Sequence, residues 1–124
     1  MAWNLDADRP IYAQLVEKLQ LRIITGYYPP GGKLPSVREL AAEAAVNPNT
    51  MQKAFAELEG SGLIITQSTN GRSVTEDGGL IRHSRVMLAR KHADIFLAGM
   101  RDLGYTKQEA TAFLSDRNGG TVGE

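Results

Sequence analysis

Two helix-start signals eleven residues apart constrain this chain more than any other feature. At Ser36-Val37-Arg38-Glu39 the Ser hydroxyl can accept a backbone amide while the Glu carboxylate reaches back, a capping box, and Leu40, Ala41 and Ala44 follow as an apolar face. At Asn47-Pro48 the Asn side chain can cap a second helix, and the proline takes the first helical position, where a missing amide proton costs nothing. That helix is expected from Pro48 to about Glu59. Only Ala45, Val46 and Asn47 lie between the two, the turn length that joins the pair of a helix-turn-helix.

The flanking segments complete a small domain. Ile11, Leu15, Leu19 and Ile23, with Tyr12 and Val16 beside them, recur at helical spacing, so a first helix is expected from Pro10, in its first turn, to Thr25, with Gly26 as the stop. Two prolines and two glycines in Pro29-Pro30-Gly31-Gly32 forbid helix, and Lys33-Leu34-Pro35 should emerge extended as a short strand. After a break at Gly60-Ser61-Gly62, Leu63 to Gln67 reads as a strand and Arg72 to Thr75 as its partner, joined by a tight two-residue turn at Asn70-Gly71. The fold class is therefore mainly α with a small β-hairpin, a winged helix-turn-helix followed by a short two-helix dimerisation region.

That last region follows Glu76-Asp77-Gly78-Gly79, read as a hinge. Val86, Ala89, Ala93, Phe96, Met100 and Leu103 fall at spacings of three and four, and Ile81, Leu88 and Ile95 add a neighbouring stripe. This is more apolar surface than a two-helix tail covers by itself, so a second copy of the chain is expected against it, with Phe113 and Leu114 contributing from a final helix capped at Thr106-Lys107-Gln108-Glu109. The expected organisation is a DNA-binding domain at 1–77, a dimerisation region at 78–117 and a glycine-rich tail at 118–124.

Composition narrows the classes. With 124 residues there is room for one small core and a helical appendage, not for a large enzyme scaffold. The absence of cysteine removes disulfides, thiolate metal sites and a Cys nucleophile, and makes the reducing cytoplasm the default compartment. Met1 to Asp8 lacks the charge and apolar run of a signal peptide, and no stretch is apolar enough for a membrane span, so an unprocessed, soluble chain is expected. Ser36 and Ser73 lack a nucleophile-elbow context, and His83 and His92 stand nine apart with no carboxylate at ligand spacing; no catalysis, metal or cofactor is expected.

Double-stranded DNA is the partner that the helix-turn-helix suggests. Asn47, Asn49, Thr50, Gln52 and Lys53 lie on the outward side of the third helix, opposite Met51, Ala54, Phe55 and Leu58. Asn and Gln amides can pair with adenine, Thr can meet a thymine methyl, and Lys53 can reach phosphate or guanine. Lys33, Ser36 and Arg38 are placed to grip flanking phosphates, and Thr69, Asn70, Gly71 and Arg72 to form the wing contact. Plainer readings stand beside these: Asn47 as a cap only, Gln52 and Lys53 as solvated side chains, Arg72 as one exposed turn charge. Fourteen basic and fourteen acidic side chains cancel, and residues 1–75 hold seven of each. That balance motivates the alternative of a winged helix used for protein contacts.

Taken in order, Pro10-Ile11-Tyr12-Ala13-Gln14-Leu15, Tyr28-Pro29-Pro30-Gly31, Leu34-Pro35-Ser36-Val37-Arg38-Glu39-Leu40-Ala41, Val46-Asn47-Pro48-Asn49-Thr50 and Gly62-Leu63-Ile64 resemble the GntR family of bacterial transcription regulators over roughly residues 9–77. Asn-Pro-Asn-Thr and the short helical remainder resemble its YtrA-type subgroup. The resemblance implies a dimeric repressor on an inverted-repeat operator, touching DNA through Arg38, Asn47, Asn49, Thr50, Gln52 and Gly71. It also implies a transporter operon as target, under an effector small molecule that no residue names. Pro48 stands where many relatives have Arg, Ser73 where they have an aromatic residue and Ser68 where a basic one is frequent, which implies a less basic, more weakly anchored wing.

Overall fold

The computed structural model describes residues 3–67 and 71–118. The chain divides into two compact units, residues 1–85 and 86–124. In the first, three helices are followed by a hairpin: α1 (Ile11–Ile24), α2 (Val37–Ala44), α3 (Pro48–Gly60), β1 (Ile64–Gln67) and β2 (Gly71–Val74). The helix α4 (Gly78–Asp102) runs from the first unit into the second, which ends with α5 (Lys107–Asn118).

The caps appear where the sequence puts them. Ser36 Oγ accepts from the Glu39 amide at 3.0 Å and Glu39 Oε1 accepts from the Ser36 amide at 2.8 Å, closing the capping box of α2. The Asn47 side chain accepts from the Asn49 amide at 2.7 Å, with Pro48 at the first position of α3. Between the helices Ala45 takes the left-handed conformation at φ 59°, a place usually held by glycine. Pro10 lies just outside α1 as its cap residue rather than within the first turn, and Gly60 is still helical; the chain breaks at Ser61 and at Gly62, whose φ is +87°.

Leu15, Leu19 and Ile23 of α1, Leu40 and Ala41 of α2, and Met51, Ala54, Phe55 and Leu58 of α3 form the core with Leu63, Ile64 and Val74. Both α1 and α2 pack on α3, so the apolar stripe of α3 is consumed inside and its other side is left outward. Each buried Leu, Ile, Val, Met or Phe among them contributes about 1.5–3 kcal/mol relative to exposure.

The hairpin pairs Ile64 with Val74 and Gln67 with Gly71. Gly71 is thus a strand residue at φ +79°, paired with Gln67, and not half of a two-residue turn with Asn70. Thr69 and Asn70, two of the expected wing contacts, and Ser68 lie outside the described residues. The extended segment before α2 makes a single bridge, Lys33 to Ser73, instead of a strand: Leu34 donates to Arg72 and Val74 to Gly32 around it, and the next amide on that side, of Ser36, is spent on the Glu39 cap.

Gly78 and Gly79, expected in a hinge, are the first residues of α4, where Asp77 Oδ1 accepts from the Leu80 amide at 3.1 Å. Leu80 and Ile81 then pack on the core of the first unit. In the second unit Gly104 at φ +95° ends the turn after α4, and Thr106 and Glu109 exchange capping hydrogen bonds at 3.1 and 2.8 Å to start α5. Among the described residues no helix is long and apolar enough to cross a membrane, and no cluster of His, Asp and Glu could hold a metal ion.

Candidate nucleic-acid interface

The outward side of α3 carries the residues that the sequence singles out. Asn47, Asn49, Gln52 and Lys53 are exposed and Thr50 is half-buried, while Met51, Ala54, Phe55 and Leu58 are buried. Asn49 and Gln52, three apart, share one face at the start of the helix. Their surroundings divide them. Asn47 spends one lone pair of its carbonyl oxygen on the cap, so its position is set by the helix start and, among the described residues, its amide N–H groups are its unengaged donors. Lys53 lays its ammonium 4.3 Å from the centre of the Tyr12 ring, whose hydroxyl bonds to Glu57. That bond to Glu57 raises the tyrosine pKa.

Lys33, Ser36, Gly71 and Arg72 line one open cleft of about 380 Å³, between the extended segment, the start of α2 and the wing. Hydrogen bonds from the Ser36 backbone and hydroxyl, with Lys33 nearby, hold the Glu39 carboxyl below its ordinary range. Arg38, on the first turn of α2, is exposed. Arg72 is placed differently from the wing-tip charge of the sequence reading. Its Nε donates to Glu59 at 3.0 Å and its guanidinium lies 5.3 Å from the Phe55 ring, so the side chain is folded back along α3.

The neutral charge balance resolves locally. Of the seven acidic side chains in residues 1–75, six have a local partner: Asp6 and Glu17 face Arg9, Glu39 closes the capping box, Glu43 meets Trp3 and Arg22, Glu57 meets Tyr12, and Glu59 holds Arg72. Among the described residues Lys33 and Arg38 make no ion pair. Lys33 and Arg38 are therefore two cations beside the start of α2 that hold no salt bridge among the described residues, with the Glu39 carboxylate near Lys33.

Of the expected dimer residues, Val86, Ala89, Ala93, Ile95, Leu103, Phe113 and Leu114 are exposed, with Ile95 at 60% and Leu103 at 74%. Leu88 and Phe96 are half-buried, Met100 is buried, and Ile81 is engaged by the first unit's core.

Residues 11–74, from the start of α1 to the end of β2, match the model of the bacterial regulatory proteins of the gntR family. The chain belongs to the GntR family. It is 35% identical over 106 residues to the uncharacterized HTH-type transcriptional regulator YhcF of Bacillus subtilis, covering 86% of this chain and 88% of that one. With the HTH-type transcriptional repressor YtrA of the same organism it is 44% identical over 71 residues, 57% of this chain and 55% of that one. A GntR family transcriptional regulator from Listeria monocytogenes superimposes with a TM-score of 0.84 at 38% identity, over 90% of this chain and 98% of that one. The AraR DNA-binding domain in complex with operator ORX1 superimposes with a TM-score of 0.52 at 30% identity, over 58% and 88%. The winged helix is thus that of the GntR regulators, of the YtrA type, and the relatives are transcriptional regulators rather than enzymes.

Sequence reasoning about this GntR chain missed the partners that fix the interface. Glu59 stands seven residues after Gln52, two helical turns along the same side, and that spacing was a readable signal. Tyr12, read as part of the core-facing side of α1, does pack against the core and in addition carries Lys53 and Glu57. Nothing in the sequence pointed to Trp3, which is buried with its Nε1 donating to Glu43 at 2.8 Å.

Proposed function

We propose that this GntR-family regulator represses transcription as a homodimer. In this reading two copies of α3 enter successive major grooves of an inverted-repeat operator with half-sites about one DNA turn apart. The observation that carries it is the start of α3: Asn49 and Gln52 exposed together, above a fully buried Met51-Ala54-Phe55-Leu58 stripe that fixes their direction. Base edges are met by Asn49, Thr50 and Gln52, and phosphates by Lys33, Ser36 and Arg38, with Gly71 at the base of the wing. The AraR domain bound to operator supports DNA as the partner. The exposed apolar side chains of α4 and α5 support the second copy as the other. Cytoplasmic location follows from the role.

The YtrA likeness motivates a transporter operon as the regulated target, with release by a small-molecule effector. Footprinting of DNA around the gene, with and without candidate ligands, tests that part. The charge balance of residues 1–75 favours the rival reading of a protein-binding adaptor. Binding to mixed-sequence duplex separates the two: the regulator gives a log–log salt slope of about −0.9 per phosphate contact. A slope near zero removes it in favour of the adaptor.

A further inference from the structure

Arg72 does more than tie the wing to α3. While Nε donates to Glu59 at 3.0 Å, Nη2 faces Gln52 Oε1 at 3.5 Å. A guanidinium has only donors and stays charged, so whichever way the Gln52 amide turns, its oxygen is the atom that belongs against Arg72. The ion pair with Glu59, three-quarters buried on both sides, keeps the guanidinium there. The Gln52 oxygen is thereby turned toward Arg72, and the NH2 group is the part of the amide directed away from it. A glutamine pairs with adenine by offering one donor and one acceptor at once, to N7 and N6. A glutamine that offers donors alone matches the two adjacent acceptors of guanine, N7 and O6, and leaves the adenine amino group without a partner. The nearby positive charge adds to the same preference.

We infer that Arg72 is a positioning residue that sets the base specificity of Gln52, turning it from an adenine reader into a guanine reader. The inference rests on the DNA-binding reading above and deepens it. Randomised-duplex selection with the full chain tests it, using wild type, Gln52→Ala, Arg72→Met and Arg72→Lys. The position at which Gln52→Ala flattens the preference identifies the base pair concerned. Wild type is expected to favour guanine there over adenine by about tenfold, the scale of one good base contact. Arg72→Lys, which still donates, is expected to keep guanine, and Arg72→Met to change the preferred base to adenine. A purely structural role for Arg72 would weaken all sequences alike and leave the preferred base in place, and that result overturns the inference. Adenine preference in wild type, or a Gln52→Ala profile identical to wild type, overturns it as well while leaving DNA binding intact. No enrichment of any sequence by the wild-type chain overturns both readings together.

Discussion

Arg22 donates to the Tyr28 hydroxyl at 2.6 Å from a site where it is only 1% exposed. A buried charge costs several kcal/mol unless its surroundings replace water. Here Glu43 Oε2 lies 3.2 Å from Nη2, and the guanidinium stacks 4.2 Å from the Trp3 ring and 4.9 Å from that of Tyr27. One side chain of α1 thereby joins the N-terminal segment, the loop after α1 and α2. Since α2 is the first helix of the helix-turn-helix, this contact helps to fix the angle at which α3 is offered. Burial in this cluster pushes the Tyr28 pKa up, partly offset by Arg22.

Arg22→Ala is therefore expected to lower stability by about 2–4 kcal/mol, through lost stacking and an unfilled site. Glu43→Gln should cost under about 1 kcal/mol, because that carboxylate is 49% exposed and the amide oxygen can still accept. Urea unfolding of the full chain reads both. Equal losses would show that the ion pair, not the aromatic surround, holds the arginine.

Ala45 turns the chain between α2 and α3 at φ 59°, where an L residue is strained by about 1–2 kcal/mol. Ala45→Gly is expected to raise stability by up to about 1 kcal/mol after the entropy gained by the unfolded chain. An unchanged or lower denaturation midpoint would mean that the turn tolerates alanine without strain.

The α2 capping box gives a pH signature. Removing its hydroxyl with Ser36→Ala should cost about 1 kcal/mol at neutral pH. Glu39 has a depressed pKa in the folded chain, so its contribution is present above the ordinary carboxylate value and lost as pH falls through the folded one. The gap between wild type and Ser36→Ala should accordingly narrow below about pH 4.3. The Ser36 amide, the larger cause of the Glu39 shift, is kept in Ser36→Ala, so a gap that stays constant from pH 7 to pH 3 would show that the hydroxyl takes no part in holding the carboxylate.

The elements were legible because their signals are local. Ser36, Asn47 and Thr106 each announce a cap through residues within three positions, and all three caps form. Gly78 and Gly79 misled for the opposite reason: glycine reads as a break, yet the Asp77 cap and the burial of Leu80 and Ile81 start a helix through them. At the interface, residue types on α3 were readable and their partners were not. The approach of Arg72 to Glu59 depends on how β2 crosses α3, and no window of sequence contains both.

Arg38 and Asn49 should fail differently. Arg38, exposed and without an ion pair among the described residues, is assigned to phosphate. Arg38→Ala is thus expected to weaken all sequences alike and to reduce the salt slope by about 1. Asn49→Ala is expected to flatten the preference at one base pair, by about 1–3 kcal/mol, with the slope unchanged. Identical selection profiles for the two variants would remove this division of roles.

The second copy is tested on the exposed stripe. Ile95 and Leu103 are more exposed than the other large apolar side chains of the described residues, and leaving both in water forgoes about 1.5–3 kcal/mol each. If a twin chain covers them, Ile95→Glu and Leu103→Glu should each shift sedimentation at micromolar concentration from dimer to monomer. Burying an unpaired carboxylate costs more than the lost contact alone. Operator affinity should fall with the dimer, while a single half-site is bound as before, because neither residue belongs to the winged helix. A wild-type chain that sediments as a monomer would leave the stripe without its assigned occupant and reduce the regulator to one half-site.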